Sequence, residues 1–207
     1  MKGLILKDFY QLSSYKRIFV VLLLFCVLMG FTNEDTVFLT FYPAFLMGMM
    51  PITMYAYDEK AKFHMLLSSL PVKKSTYVSA KYVFALLLIV GACVLTGTVQ
   101  GIKMAVGGTF AIMDFLMIMG LMIAVALVAP AVVLPFIFLL GTEKGRFVNI
   151  IVVAGTVSVI NIFMNLGDDF QQITSANQIV AIVIAAAVVI FTVSWMITAK
   201  IFEKKEL

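Results

Sequence analysis

The sequence predicts an all-α polytopic membrane protein with six transmembrane helices, and three observations carry that prediction. First, 63% of the 207 residues are hydrophobic and 13% charged, against about 45–50% apolar and about 25% charged in soluble domains; mean hydropathy is +1.09. Second, apolar runs recur at close to the roughly 17 to 25 residues that cross the hydrocarbon as a helix. Third, lysine and arginine collect in alternate loops, as the positive-inside rule requires of a membrane chain.

The expected spans cover about residues 18–31, 37–56, 83–101, 112–140, 147–166 and 179–201. The second contains Pro43 and Pro51. The fourth run is too long for one straight span. Pro130 and Pro135 lie within it, and because each removes a backbone donor and crowds the preceding turn, the run reads as one long helix kinked or broken there.

Orientation follows from the basic residues. Lys2, Lys7, Lys16 and Arg17 precede the first span; Lys60, Lys62, Lys73, Lys74 and Lys81 lie between the second and third; Lys144 and Arg146 between the fourth and fifth; Lys200, Lys204 and Lys205 after the sixth. In a six-span layout all four groups face one side. The opposite loops carry Glu34, Asp35, Asp168 and Asp169, with Lys103 as their one basic residue. Both termini are therefore expected in the cytoplasm and the chain in the plasma membrane, and the net charge of +4 reads as a topology signal rather than a nucleic-acid footprint.

Ahead of the first span, Leu4, Ile5, Phe9 and Leu12 recur at near-helical spacing, with Lys7, Asp8, Gln11 and Ser14 assigned to other faces. This predicts an amphipathic helix over residues 1–16 lying at the interface rather than a cleavable signal peptide. Short external loops leave no room for an external binding domain, so 1–207 reads as a single membrane domain. Cys26 and Cys93 sit in apolar runs and read as small hydrophobes.

Several chemistries are excluded by missing groups. No G-x-x-x-x-G-K-[ST] phosphate loop is present, and GTEKGR at 141–146 lacks its spacing. The chain is not expected to hydrolyse ATP. His64 is the one histidine, so no H-E-x-x-H zinc site exists. Ionisable residues are nearly absent from the spans, with Asp114 and Lys103 only at their outer ends; this argues against an ion-coupled carrier.

Milder polar features remain. Ser158, Asn161 and Asn165 share one face of the fifth span at i, i+3 and i+7, where they either bond helices together or line a translocation path. Gly97 and Gly101 form a G-x-x-x-G that would let helices approach closely.

The most informative stretch is YDEKAKFHMLLSSLPVKKSTYVSAKY, residues 57–82, which holds five lysines, an Asp-Glu pair and the histidine in one loop. Phe63, Leu66, Leu67 and Leu70 make an apolar helical stripe, while Asp58, Glu59, Lys60, Lys62 and His64 form the wet side. Pro71 ends that helix. The loop is longer and more patterned than a simple connection.

Tyr57-Asp58-Glu59-Lys60, then Ser69-Leu70-Pro71-Val72 with basic residues following, then Lys81-Tyr82, resemble the loop between the second and third spans in small permease subunits of type-2 ABC (ATP-binding cassette) exporters. The opening MKGLILKDF is similar to the start of the same permeases, and Phe63 stands where their pattern has a tryptophan. The resemblance implies a coupling helix in the loop that docks on a separate cytoplasmic ATPase, with Phe63, Leu66, Leu67, Leu70 and Pro71 packing and Asp58, Glu59 and Lys60 as polar rim. It implies an elbow helix at the N-terminus, two ATPase copies, and a second permease copy or a related permease. ATP and magnesium would sit on the ATPase and no cofactor on this chain. Within the family the chain looks most like permeases that export amphipathic peptides, such as phenol-soluble modulins, or that confer antimicrobial peptide resistance. A membrane channel, or an assembly protein that binds a partner without transport, is the alternative.

Overall fold

A computed structural model describes residues 2–13, 20, 24, 37–69, 73–107, 112–170 and 176–204. The elements are α1 (Lys2–Ser13), α2 (Val37–Lys60), α3 (Phe63–Ser69), α4 (Lys74–Val106), α5 (Ile112–Phe170) and α6 (Ala176–Lys204). Among the described residues three stretches are long and apolar enough to cross a membrane: Lys74–Val106, Phe115–Thr142 and Val180–Lys204. The expected second, third and sixth spans fall inside α2, α4 and α6. The expected first span, 18–31, lies outside the described residues apart from Val20 and Leu24.

The fourth run does not break at its prolines; α5 is interrupted just beyond the end of that run. Backbone dihedrals stay helical through Pro130 and Pro135, and the non-helical residue inside α5 is Gly141, at φ 80° and ψ 173°. That region is open essentially to glycine alone, because a Cβ would collide with the backbone. Beyond it the chain bends sharply. A Cβ added at Gly145 would lie 3.4 Å from the Cα of Ile137, whereas eight residues along a straight helix span about 12 Å. The two arms of α5 thus press together at a glycine-lined bend.

Why the prolines leave α5 intact follows from the carbonyls they strand. A helical proline deprives the residue four positions earlier of its hydrogen-bond donor, here Ala126 and Ala131. The Ser194 hydroxyl of α6 donates to the Ala131 carbonyl. The Ala126 carbonyl faces Gly48 of α2, so closely that a Cβ at Gly48 would come within 2.8 Å of it. One stranded carbonyl thus receives a hydrogen bond from a neighbouring helix, and the other is closely covered by one.

Ser194 belongs to a buried hydroxyl group that ties α4 to α6. The Tyr82 hydroxyl lies 2.7 Å from Ser194 Oγ and 2.9 Å from Thr198 Oγ1, and Thr198 donates to the Ser194 carbonyl at 2.8 Å. Small residues bring α4 and α5 together as well: a Cβ at Gly97 would meet Met119 Sδ at 2.9 Å, and one at Gly101 would meet the Phe115 ring at 3.6 Å. Ser158 is exposed and returns its hydroxyl to the Ala154 carbonyl of its own helix. The side chains of Asn161 and Asn165 lie outside the described set.

Candidate functional site

One end of the bundle gathers the residues that the sequence had spread over α1, the 57–82 loop and two apolar runs. Asp8 of α1, Asp58 of α2 and Lys81 of α4 are all buried. Lys81 Nζ bridges the two carboxylates, 2.9 Å from Asp8 Oδ1 and 2.8 Å from Asp58 Oδ2. Lys7 closes the group through Asp58, and lies 3.3 Å from Asp8. Tyr77, one turn before Lys81, donates its hydroxyl to Asp58 Oδ2 at 2.7 Å. Two acids and two bases cancel in formal charge, which is what permits their removal from water.

This arrangement differs from the faces assigned by periodicity. Asp8 lies four residues from both Leu4 and Leu12 and shares their inward face; Leu4 and Leu12 pack on the core around it. Asp58, expected on the wet side of the loop, is 4% exposed. Lys81, counted as a basic flank, is 1% exposed. The expected apolar stripe of α3 also divides. Leu67 is buried, and Phe63 packs inward with the Lys7 ammonium 4.2 Å from its ring centroid and the Tyr77 ring 6.0 Å away. Met65 and Leu66 point outward, 67% and 54% exposed. Lys60 is exposed too, while the His64 side chain, Leu70 and Pro71 lie outside the described residues.

Behind Phe63 a set of rings carries the contact into the bundle. Tyr77 lies 6.1 Å from Phe138 of α5 and 5.7 Å from Phe202 of α6, and Phe138 and Phe202 meet edge to face at 5.1 Å. Tyr55 of α2 joins Phe138 at 4.5 Å. Such pairs add about 0.5–1.5 kcal/mol each beyond the area they bury. Phe63 thereby seats the short helix α3 against α1 and α4, and Tyr77 continues the ring contacts to α5 and α6.

Glu59, next to the buried Asp58, reaches the bend in α5. Its Oε2 accepts the backbone N–H of Thr142 at 2.9 Å, the first residue after Gly141. The amide at a helix start has no partner within the helix, and a carboxylate there also meets the positive end of the helix dipole.

A family profile described as ABC-2 family transporter protein matches residues 3–203. The chain belongs to the ABC-2 transporter family. Neither the curated proteins nor the solved structures yield a match. As an ABC-2 membrane protein the chain is the permease side of an ABC transporter, a subunit type that is typically non-catalytic and works with an ABC ATPase in the plasma membrane. The matched segment takes in every element of the charged end, from Lys7 on α1 to Phe202 on α6. In this ABC-2 protein the ion cluster does not resemble a site of chemistry: each buried charge already has its counter-charge.

The cluster makes stability depend on pH. Burial acts to raise the pKa of Asp58, but the Lys81 charge and the hydrogen bonds from Lys7, Lys81 and Tyr77 outweigh it and hold the carboxyl below its ordinary value. In the unfolded chain the same group takes up its proton at a higher pH, near the usual aspartate value of about 4. Its stabilisation is therefore complete above that value and is lost as pH falls through the folded pKa. The thermal midpoint of the purified protein is expected to stay level from pH 7 to about 5 and to drop below about 4. Asp58→Asn should lower the neutral midpoint and flatten the acid limb; an unchanged acid limb would remove Asp58 from the explanation.

Proposed function

We propose that the chain is the six-span permease subunit of an ATP-driven exporter that carries amphipathic peptides, of phenol-soluble modulin or antimicrobial type, out of the cell. Both termini and the 57–82 loop face the cytoplasm, α1 is the elbow helix at the interface, and α3 is the coupling helix that docks on a separate ATPase. Two permeases, identical or related, act with two ATPase copies. ATP and magnesium stay on the ATPase, whose closure moves the coupling helices and tilts the spans between inward- and outward-open arrangements.

The observation that carries the reading is the way α3 is presented. Phe63 and Leu67 fasten it inward while Met65 and Leu66 are turned out, next to the exposed Lys60 and Lys62, within a chain matched to the ABC-2 family from residue 3 to 203. An apolar centre with a charged margin is the composition of a docking patch. The peptide cargo rests on the resemblance of the 57–82 loop and on the scarcity of ionisable residues in the spans, which suits an amphipathic passenger better than an ion.

Capture of the ATPase tests this. Met65→Asp and Leu66→Asp alter the outer face without entering the core, and each should weaken copurification of the cognate ATPase by about tenfold or more, the equivalent of roughly 1.4 kcal/mol, while leaving the thermal midpoint within a degree or two. Retained capture by both variants would remove α3 as the docking element and favour a channel or an assembly role. Export is read separately, as protection of cells against an added amphipathic peptide.

A further inference from the structure

Glu59 makes two connections to main-chain N–H groups, one through its carbonyl and one through its carboxylate. Its carbonyl accepts the N–H of Lys62 at 3.0 Å, and the Lys62 carbonyl in turn accepts the N–H of Met65 at 3.0 Å. These bonds fix the turn from α2 into α3, where Lys62 takes a left-handed conformation at φ 51°. The Glu59 carboxylate meanwhile holds the far end of the connection: Oε2 accepts the Thr142 N–H, and Oε1 would lie 3.0 Å from any Cβ placed on Gly141. A single residue therefore spans from the start of α3 to the one non-helical point in α5.

We propose that Glu59 is the positioning residue through which a displacement of α3 reaches the bend at Gly141 and changes the angle between the two arms of α5. This deepens, and rests on, the reading of α3 as the element that meets the ATPase. The division of labour with its neighbour is physical. Asp58 is enclosed by two lysines and a tyrosine, and fixes α2 to α1 and α4. Glu59 is half-buried and its partner is a main-chain N–H at a glycine bend, a position able to pivot because Gly141 has no side chain to obstruct it. The aromatic set around Phe63 and Tyr77 transmits contact to α6 and to the first arm of α5; the second arm begins at Thr142, and Glu59 holds its first amide.

The test uses the full chain in lipid nanodiscs, alone and with the ATPase, read by amide hydrogen exchange. In the chain alone, Glu59→Ala should speed exchange across 142–146 by about tenfold, a local loss of roughly 1.4 kcal/mol, without change in α4. Glu59→Gln keeps an acceptor oxygen and should restore most of the protection. Thr142→Pro removes the donor at a helix start, where proline is tolerated, and adding Glu59→Ala to it should bring no further effect on 143–146. With the ATPase bound, addition of ATP should alter exchange at 142–152 in the native complex, and Glu59→Ala should abolish that response in complexes held together by a saturating excess of ATPase. Unchanged exchange in Glu59→Ala, or acceleration spread evenly over all helices, overturns the positioning role. A native complex with no ATP response at the bend overturns the transmission. If no ATPase is captured by the native chain, the exporter reading fails and transmission fails with it, whereas the measurements on the chain alone still judge Glu59.

Discussion

Lys81→Met is expected to lower the stability of the folded protein by about 3–5 kcal/mol, the usual result of removing one partner from a buried ion pair. Lys81 is 1% exposed and is the fully buried one of the two cations that face both Asp8 and Asp58. Methionine fills nearly the same volume, so the loss would be electrostatic rather than steric. Two buried carboxylates would be left with Lys7, whose side chain is 30% exposed, as their remaining cationic neighbour, and repulsion between them would add to the desolvation cost. Pairing the change with Asp8→Asn removes one of the stranded charges, and the double variant should recover part of the loss. Thermal unfolding in detergent, arranged as a double-mutant cycle, measures that coupling. Strict additivity of the two changes would mean that Asp8 and Lys81 do not interact in the folded protein.

Gly48→Ala should destabilise by about 1–3 kcal/mol, as overpacking of a filled interior does. The added methyl would sit 2.8 Å from the Ala126 carbonyl oxygen, a backbone atom that cannot swing aside, and α2 and α5 would have to separate. Their separation would also uncover the carbonyl stranded by Pro130, which has no water to turn to inside a bilayer. Gly91→Ala provides the matched comparison, since a Cβ there meets nothing within 4 Å, and alanine has the higher helix propensity by about 1 kcal/mol. The two variants make the same chemical change on two helices, so opposite effects on the thermal midpoint would isolate the close approach at Gly48. Equal effects would show that the α2–α5 contact tolerates a methyl group.

Much of the architecture was legible because its signals are local. Apolar runs at 37–56, 83–101 and 179–201 became the cores of α2, α4 and α6, since hydropathy over some twenty residues does not depend on what packs beside them. A short helix between α2 and α4 was legible from Phe63 onward for the same reason. The position of the bend in α5 was not. Pro130 and Pro135 are the stronger local breakers, yet what matters for a proline in a helix is whether its stranded carbonyl finds a partner. Ser194, 63 residues away from Ala131, and Gly48, on another helix, are invisible to a local reading.

The ion cluster was missed for a related reason. Lys7, Asp8, Asp58 and Lys81 were each assigned to water because charged side chains are rarely buried, and the pairs that make burial tolerable are 51 and 73 residues apart in sequence. Two weak hints were present. Asp8 stands at the i+4 position from Leu4 and the i−4 position from Leu12, on their face, and Tyr77 and Lys81 are spaced one turn apart at the start of α4.

By itself, then, the sequence determined that the chain is a helical membrane protein and where several of its long apolar helices lie, because hydropathy and helical period act within a turn or a span. Only the tertiary structure decided which charges are buried, which face of α3 is turned outward, and where α5 bends. Those outcomes depend on a counter-charge, a hydroxyl or the empty space above a glycine supplied by a different helix, and no local pattern records the neighbour that supplies it.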